Sequence, residues 1–134
     1  MIRDLALLAC AQGLLRVFPP LRAHAWLLRI GAHFPPVRSP EAARSALAAI
    51  AGHGTCLGRA LAVAARAPSA DVVIGVAPGG ASPLFAHAWI EMDGTPVDPL
   101  DVIGAPIARI PGPQSPNPMS RASEATTRAS ASGS

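Results

Sequence analysis

The spacing of apolar residues changes once along this chain, near residue 71, and that change limits the folds open to it. Before it, leucines and alanines recur at helical intervals, Leu8, Leu15, Leu21 and Leu28 among them. After it, Asp71-Val72-Val73-Ile74-Gly75-Val76 is dense in β-branched residues and reads as a strand buried on both faces. Helices first and strands last is the order of an α+β domain, because alternating βαβ units would interleave the two periods.

Prolines and glycines divide the helical half. Pro19-Pro20 splits Ile2 to Phe34 into two helices, since the second ring has no amide to donate and both restrict the residue before them. Pro35-Pro36 closes the second. Ser39-Pro40-Glu41 is a helix start: a side-chain acceptor, a proline where a missing amide costs nothing, and an acid in the first turn. That helix is predicted to run to about Ala51, before Gly52. Thr55 then caps a further helix from Cys56 to about Ala67, with Leu57, Leu61 and Ala64 as its inner stripe and Pro68 as its stop.

In the second half, the run from Pro78 to Pro83 is predicted to be a loop. Leu84 to Met92 and Thr95 to about Val102 read as two strands joined through Asp93-Gly94, a strong two-residue hairpin signal. The predicted fold is therefore N-terminal helices followed by a small antiparallel sheet. Residues 1–110 form one domain, with a helical part over 1–51 and a last helix and sheet over 52–110. Residues 111–134, rich in Pro, Ser, Ala and Thr, bury too little to offset their ordering entropy and are predicted to be a disordered tail.

Composition excludes several functions. All 11 basic residues are Arg, spread singly from Arg3 to Arg128, and aromatics make up only 4% with no Tyr, so a stacking surface for nucleic acid is not expected. Within the apolar opening of the chain, the longest uncharged stretch, Leu5 to Leu15, is about half the ~20 residues of a spanning helix. Leu7-Leu8-Ala9-Cys10 looks like a lipoprotein cleavage box. However, Asp4 lies within the short segment before it and the apolar run continues past it, so the chain is read as cytoplasmic and Cys10 as a core residue. Two cysteines give no disulfide framework. His24 and His33 read as surface or packing residues. No paired-Cys metal motif occurs, and Gly79-Gly80 lacks the lysine of a phosphate loop, so no metal or cofactor is expected.

One combination carries chemistry: a Cys at a helix start, a His in a strand, and an Asp on the next strand. A thiol at neutral pH is mostly protonated, and a helix N-terminus together with an imidazolium favours the thiolate. Cys56 sits at such a start. The free backbone amides of Cys56 and Leu57 are candidate oxyanion donors, a contribution of typically ~3–4 kcal/mol per donor. His87 would act as the base, held in one tautomer by a carboxylate. With Asp93 and Gly94 as the turn, Met92 opposes Thr95, Trp89 opposes Asp98 and His87 opposes Leu100. Asp98 thus shares the face of His87 and Asp101 does not, unless a bulge shifts the register by one. Pro96 falls opposite Glu91, where its missing amide does not interrupt the hairpin.

The blocks Cys56-Leu57-Gly58-Arg59-Ala60-Leu61-Ala62, Val73-Ile74-Gly75-Val76 and Phe85-Ala86-His87-Ala88-Trp89-Ile90-Glu91 with Asp93-Gly94 resemble the transglutaminase-like core of lasso peptide biosynthesis B2 proteins. The resemblance covers about Thr55 to Asp98 closely and the helices before it loosely. It implies a papain-like cysteine protease that removes the leader peptide from a lasso precursor, with Cys56 as nucleophile, His87 as base, Asp98 as carboxylate and Trp89 as a substrate-side companion. It also implies a separate winged-helix leader-recognition protein and an ATP-dependent macrolactam cyclase as partners. The Gln that papain-like enzymes use for the oxyanion has no evident counterpart before Cys56, so that role falls to backbone amides or to a residue the sequence does not reveal. The same three residues would also serve acyl or amine transfer, and a non-catalytic subunit of the cyclase complex is the reading from another class.

Overall fold

A computed structural model describes residues 2–79, 82–98 and 105–115. Four helices come first: α1 (Ile2–Val17), α2 (Pro20–Gly31), α3 (Pro40–Ala49) and α4 (Cys56–Ala64). Four strands follow: β1 (Asp71–Gly79), β2 (Ser82–Met92), β3 (Thr95–Val97) and β4 (Ala105–Ile110), in one antiparallel sheet of order β3-β2-β1-β4. This is the α+β arrangement expected from the change of period. No helix among the described residues is long and apolar enough to cross a membrane.

Local chemistry sets the helix ends. Pro20 opens α2, and the Ser39 hydroxyl accepts the Ala42 amide at 3.1 Å to cap α3, with Pro40 at its first position. α4 is the central helix. It touches all three other helices as well as β1 and β2, and its small residues Ala60, Ala62 and Ala64 are buried along with Leu61 and Val63. A helix apolar on nearly every side is one enclosed by its neighbours. The core joins Leu7, Ala11, Leu27, Leu47 and Ile50 of the helices to Val72, Ile90, Met92, Val97 and Ile110 of the sheet.

Several expectations need correction. Cys10 is exposed, because α1 packs through Asp4, Leu7, Leu8 and Ala11 and Cys10 lies off that stripe. Of the surface and packing roles expected for His24, burial selects packing, within the electrostatic reach of Asp71. β1 does not stop at Val76. It continues to Gly79 with a register shift between Ala77 and Gly79, so Pro78 falls at an irregularity where a missing amide is tolerated. The loop expected over 78–83 is reduced accordingly, with 80–81 outside the described residues. β3 ends at Val97, and the continuation expected to Val102 lies outside the described residues beyond Asp98.

β4 was not foreseen. It is an edge strand with Pro106 and an exposed Ile107, and it carries little of the apolar alternation that marks a strand in sequence. Beyond it, residues 111–115 stay docked: the Gly112 amide donates to Asp71 Oδ1 at 3.0 Å, Gln114 N donates to the Pro68 carbonyl at 2.9 Å, and Ser115 is buried. The tail expected from residue 111 therefore begins with an anchored segment, and residues 116–134 lie outside the described chain. Asp71 also accepts from Arg109 Nη1 at 3.1 Å, and Arg109 Nη2 reaches Glu91 at 3.3 Å, so one arginine links β4 to β1 and β2.

Candidate active site

α4 begins at Cys56 because Thr55 caps it. The Thr55 hydroxyl accepts the Gly58 amide at 3.0 Å. Since the cap uses the Gly58 amide, the first-turn amides of Cys56 and Leu57 are left without a backbone partner among the described residues. The turn before Cys56 is braced by Arg59, whose Nη1 donates to the carbonyls of His53 and Gly54 at 2.8 Å each. The Cys56 side chain is half-buried.

The hairpin supplies the other groups. Asp93 and Gly94 have φ of 53° and 74°, the paired left-handed geometry of a two-residue type I′ turn. Met92 pairs with Thr95, Glu91 with Pro96 and Ile90 with Val97, the register read from the sequence. Alternation then puts Ile90 and Val97 toward the core, with His87, Trp89 and Asp98 on the opposite face. There, His87 Nε2 lies 2.6 Å from Asp98 Oδ2, both side chains being buried. The Asp98 main chain is held as well, because its carbonyl accepts from Arg44 Nη1 of α3 at 3.1 Å. Asp101, the alternative carboxylate, lies outside the described residues.

Trp89 stacks on His87 with ring centroids 5.8 Å apart and planes 27° apart. Gly75, paired with His87 on β1, makes room for that indole: a Cβ there would stand 2.8 Å from the Trp89 ring and 2.3 Å from the Ala105 carbonyl oxygen. Trp89 is only 3% exposed, so its nearest visible role is support of the imidazole rather than a broad contact surface.

Cys56, His87, Trp89 and Asp98 line a single cleft, together with Leu47, Ala51, Arg59, Ala60, Ala88 and Val97. The cleft is about 30 Å³, far below the ~300–1,000 Å³ of a pocket that engulfs a small ligand. Among the described residues no group of three His, Cys, Asp or Glu side chains could hold a metal ion. Sequence reasoning missed Arg44, Arg59 and Gln12, all of which reach this region by contacts between distant or polar positions. The Gln12 side-chain carbonyl accepts from the Thr55 hydroxyl at 3.0 Å and from the Thr55 amide at 3.4 Å. Only the unusual Gly58, one turn into α4, hinted that something approaches the helix there.

The helices leading into a small antiparallel sheet, with a cysteine at the head of the buried helix and a histidine on the second strand, define an α+β domain of the transglutaminase-like class. The family described as the transglutaminase-like superfamily matches residues 36–105, just over half of the chain's 134 residues, and the chain belongs to that superfamily. No curated protein and no solved structure matches it.

Proposed function

We propose that this protein is a cytoplasmic thiol peptidase that cuts the leader from a lasso peptide precursor, working with a separate leader-recognition protein and a macrolactam cyclase. The observation that carries the reading is the cleft shared by Cys56 and the hydrogen-bonded His87–Asp98 pair. Asp98 meets Nε2 of the imidazole, and the proton exchange with sulfur is assigned to Nδ1.

The reaction then runs in two halves. His87 takes the thiol proton as Cys56 Sγ attacks the carbonyl carbon of the last leader residue, and the developing oxyanion is met by the amides of Cys56 and Leu57. Collapse breaks the C–N bond, and His87 returns the proton to the departing amine, the new N-terminus of the core peptide. Water, deprotonated by His87, attacks the thioester and releases the leader carboxylate and the thiol. Trp89 holds the imidazole plane through this cycle.

The small cleft supports a division of labour. It has no room to select a large side chain, so the substrate lies across it in extended form and selection falls to a partner that grips the leader elsewhere. The test is a mixture of full-length protein, precursor and recognition protein, read by mass spectrometry. A leader ending in a free carboxylate supports hydrolysis. A leader joined to an added amine points to acyl transfer instead. Cleavage that persists in Cys56→Ala ends the enzymatic reading and leaves a non-catalytic subunit.

A further inference from the structure

The family match begins at residue 36, so α1 lies outside it, yet α1 sends one polar side chain to the head of the helix that carries Cys56. Gln12 is half-buried in an otherwise leucine- and alanine-rich stretch. Its Oε1 is set against two donors of Thr55, the hydroxyl at 3.0 Å and the backbone amide at 3.4 Å. An amide N–H can only donate, so the side-chain atom facing it must be the oxygen.

The hydroxyl is committed in both directions. Thr55 Oγ1 accepts from the Gly58 amide, and its hydrogen is then directed to Gln12. The result is a chain running from Gly58 N–H to Thr55 O–H to the Gln12 carbonyl. Two glycines are shaped around the same group. A Cβ on Gly58 would stand 1.7 Å from Gln12 Oε1, and one on Gly54, which already has φ +63°, would meet Leu8 at 3.0 Å and the Gln12 amide at 3.4 Å. Hydrogen bonds and empty space thus independently specify a glutamine-sized acceptor here.

We infer that Gln12 is a positioning residue for Cys56, which it serves through Thr55: it fixes the first turn of α4 while leaving the amides of Cys56 and Leu57 free for the substrate. This rests on the thiol-peptidase reading above. Gln12 is not itself an oxyanion donor, because its carbonyl and not its amide nitrogen meets the helix. Without it, the Thr55 amide and hydroxyl turn to water, the cap at Gly58 loosens, and the helix-end field at Cys56 weakens.

The test uses full-length protein carrying Cys10→Ser, which leaves Cys56 as the sole thiol, and follows iodoacetamide alkylation from pH 5 to 9 beside precursor cleavage. Gln12→Met keeps the length and helix preference of the side chain and removes the acceptor. It is expected to slow alkylation at pH 7 roughly two- to fivefold and to move the profile to higher pH. The same change made in a Thr55→Ala background is expected to add nothing, since the two residues act as one chain. A Gln12→Met profile that overlays the parent, or full additivity with Thr55→Ala, overturns the inference. Should Gln12→Met fail to fold, Gln12→Glu keeps an acceptor in place. Its high-pH rate is expected to match the parent within about twofold, with the profile displaced upward by the added negative charge, and a collapsed high-pH rate overturns the inference. If Cys56 reacts no faster than Cys10 in the unaltered protein, the peptidase reading fails first. If the parent is active and Gln12→Met is silent, only the positioning role falls.

Discussion

Asp98→Asn removes one charge and almost no volume, so it isolates what the carboxylate does for His87. The bond it alters is 2.6 Å long and lies between side chains only 7% and 6% exposed, where water cannot replace it. A hydrogen bond to a charged group contributes about 1.5–3 kcal/mol, which at ~1.4 kcal/mol per decade is about a ten- to 150-fold loss in kcat/KM. A second effect pushes toward the upper end. A carboxylate only accepts, so it keeps the ring proton on Nε2; an amide presents either oxygen or N–H and no longer enforces that tautomer. The main chain should not move, because Arg44 still holds the residue's carbonyl. The assay compares precursor cleavage and Cys56 alkylation with the melting temperature of the same samples. A drop of a few degrees in Tm with at least a tenfold fall in both rates is expected. Cleavage within about threefold of the parent, or a loss fully explained by unfolding, would refute the reasoning.

Burial holds His24 below its ordinary value of 6.5, partly opposed by the attraction of Asp71. The unfolded chain therefore binds the extra proton more readily, and the stability tied to neutral His24 is complete above about pH 6.5 and lost as the pH falls toward the folded value. Urea midpoints at pH 7.5 and 5.5 should converge in His24→Leu relative to the parent; an unchanged gap would assign the acid sensitivity to other groups. Gly75→Ala drives a methyl into the Ala105 carbonyl and the Trp89 ring, so it should cost about 1–3 kcal/mol and disturb the imidazole behind that ring. Denaturant titration checks the first effect and cleavage rate the second, and wild-type values in both would show that the sheet relaxes freely there. In the unaltered protein at pH 6 to 7, iodoacetamide should modify Cys56 faster than the more exposed Cys10, as peptide mapping would reveal; the reverse order would show that accessibility alone governs both thiols.

What could be read from the sequence was what neighbouring residues decide. Ser39 and Thr55 cap helices through bonds to residues three positions on, and Asp93-Gly94 sets the hairpin register by its own backbone angles, so the pairing of Asp98 with His87 followed from counting. What could not be read depends on which of several equal options the tertiary packing takes. α1 has leucines on several sides, so its buried stripe, and hence the exposure of Cys10, is not determined locally. β4 is an exposed edge with a proline, held by pairing rather than by apolar content. Gln12 meets Thr55 across 43 residues of chain, a separation at which one sequence carries no signal beyond the small size of Gly58.

The carboxylate of Asp71 stands where the sheet begins and grips the segment that leaves it, through Gly112, as well as the last strand, through Arg109. Entry and exit of the sheet-forming stretch are thereby latched at one point. Amide protons along β1 and β4 are therefore expected to exchange together, and a break introduced at Gly112 to lower the protection of both strands.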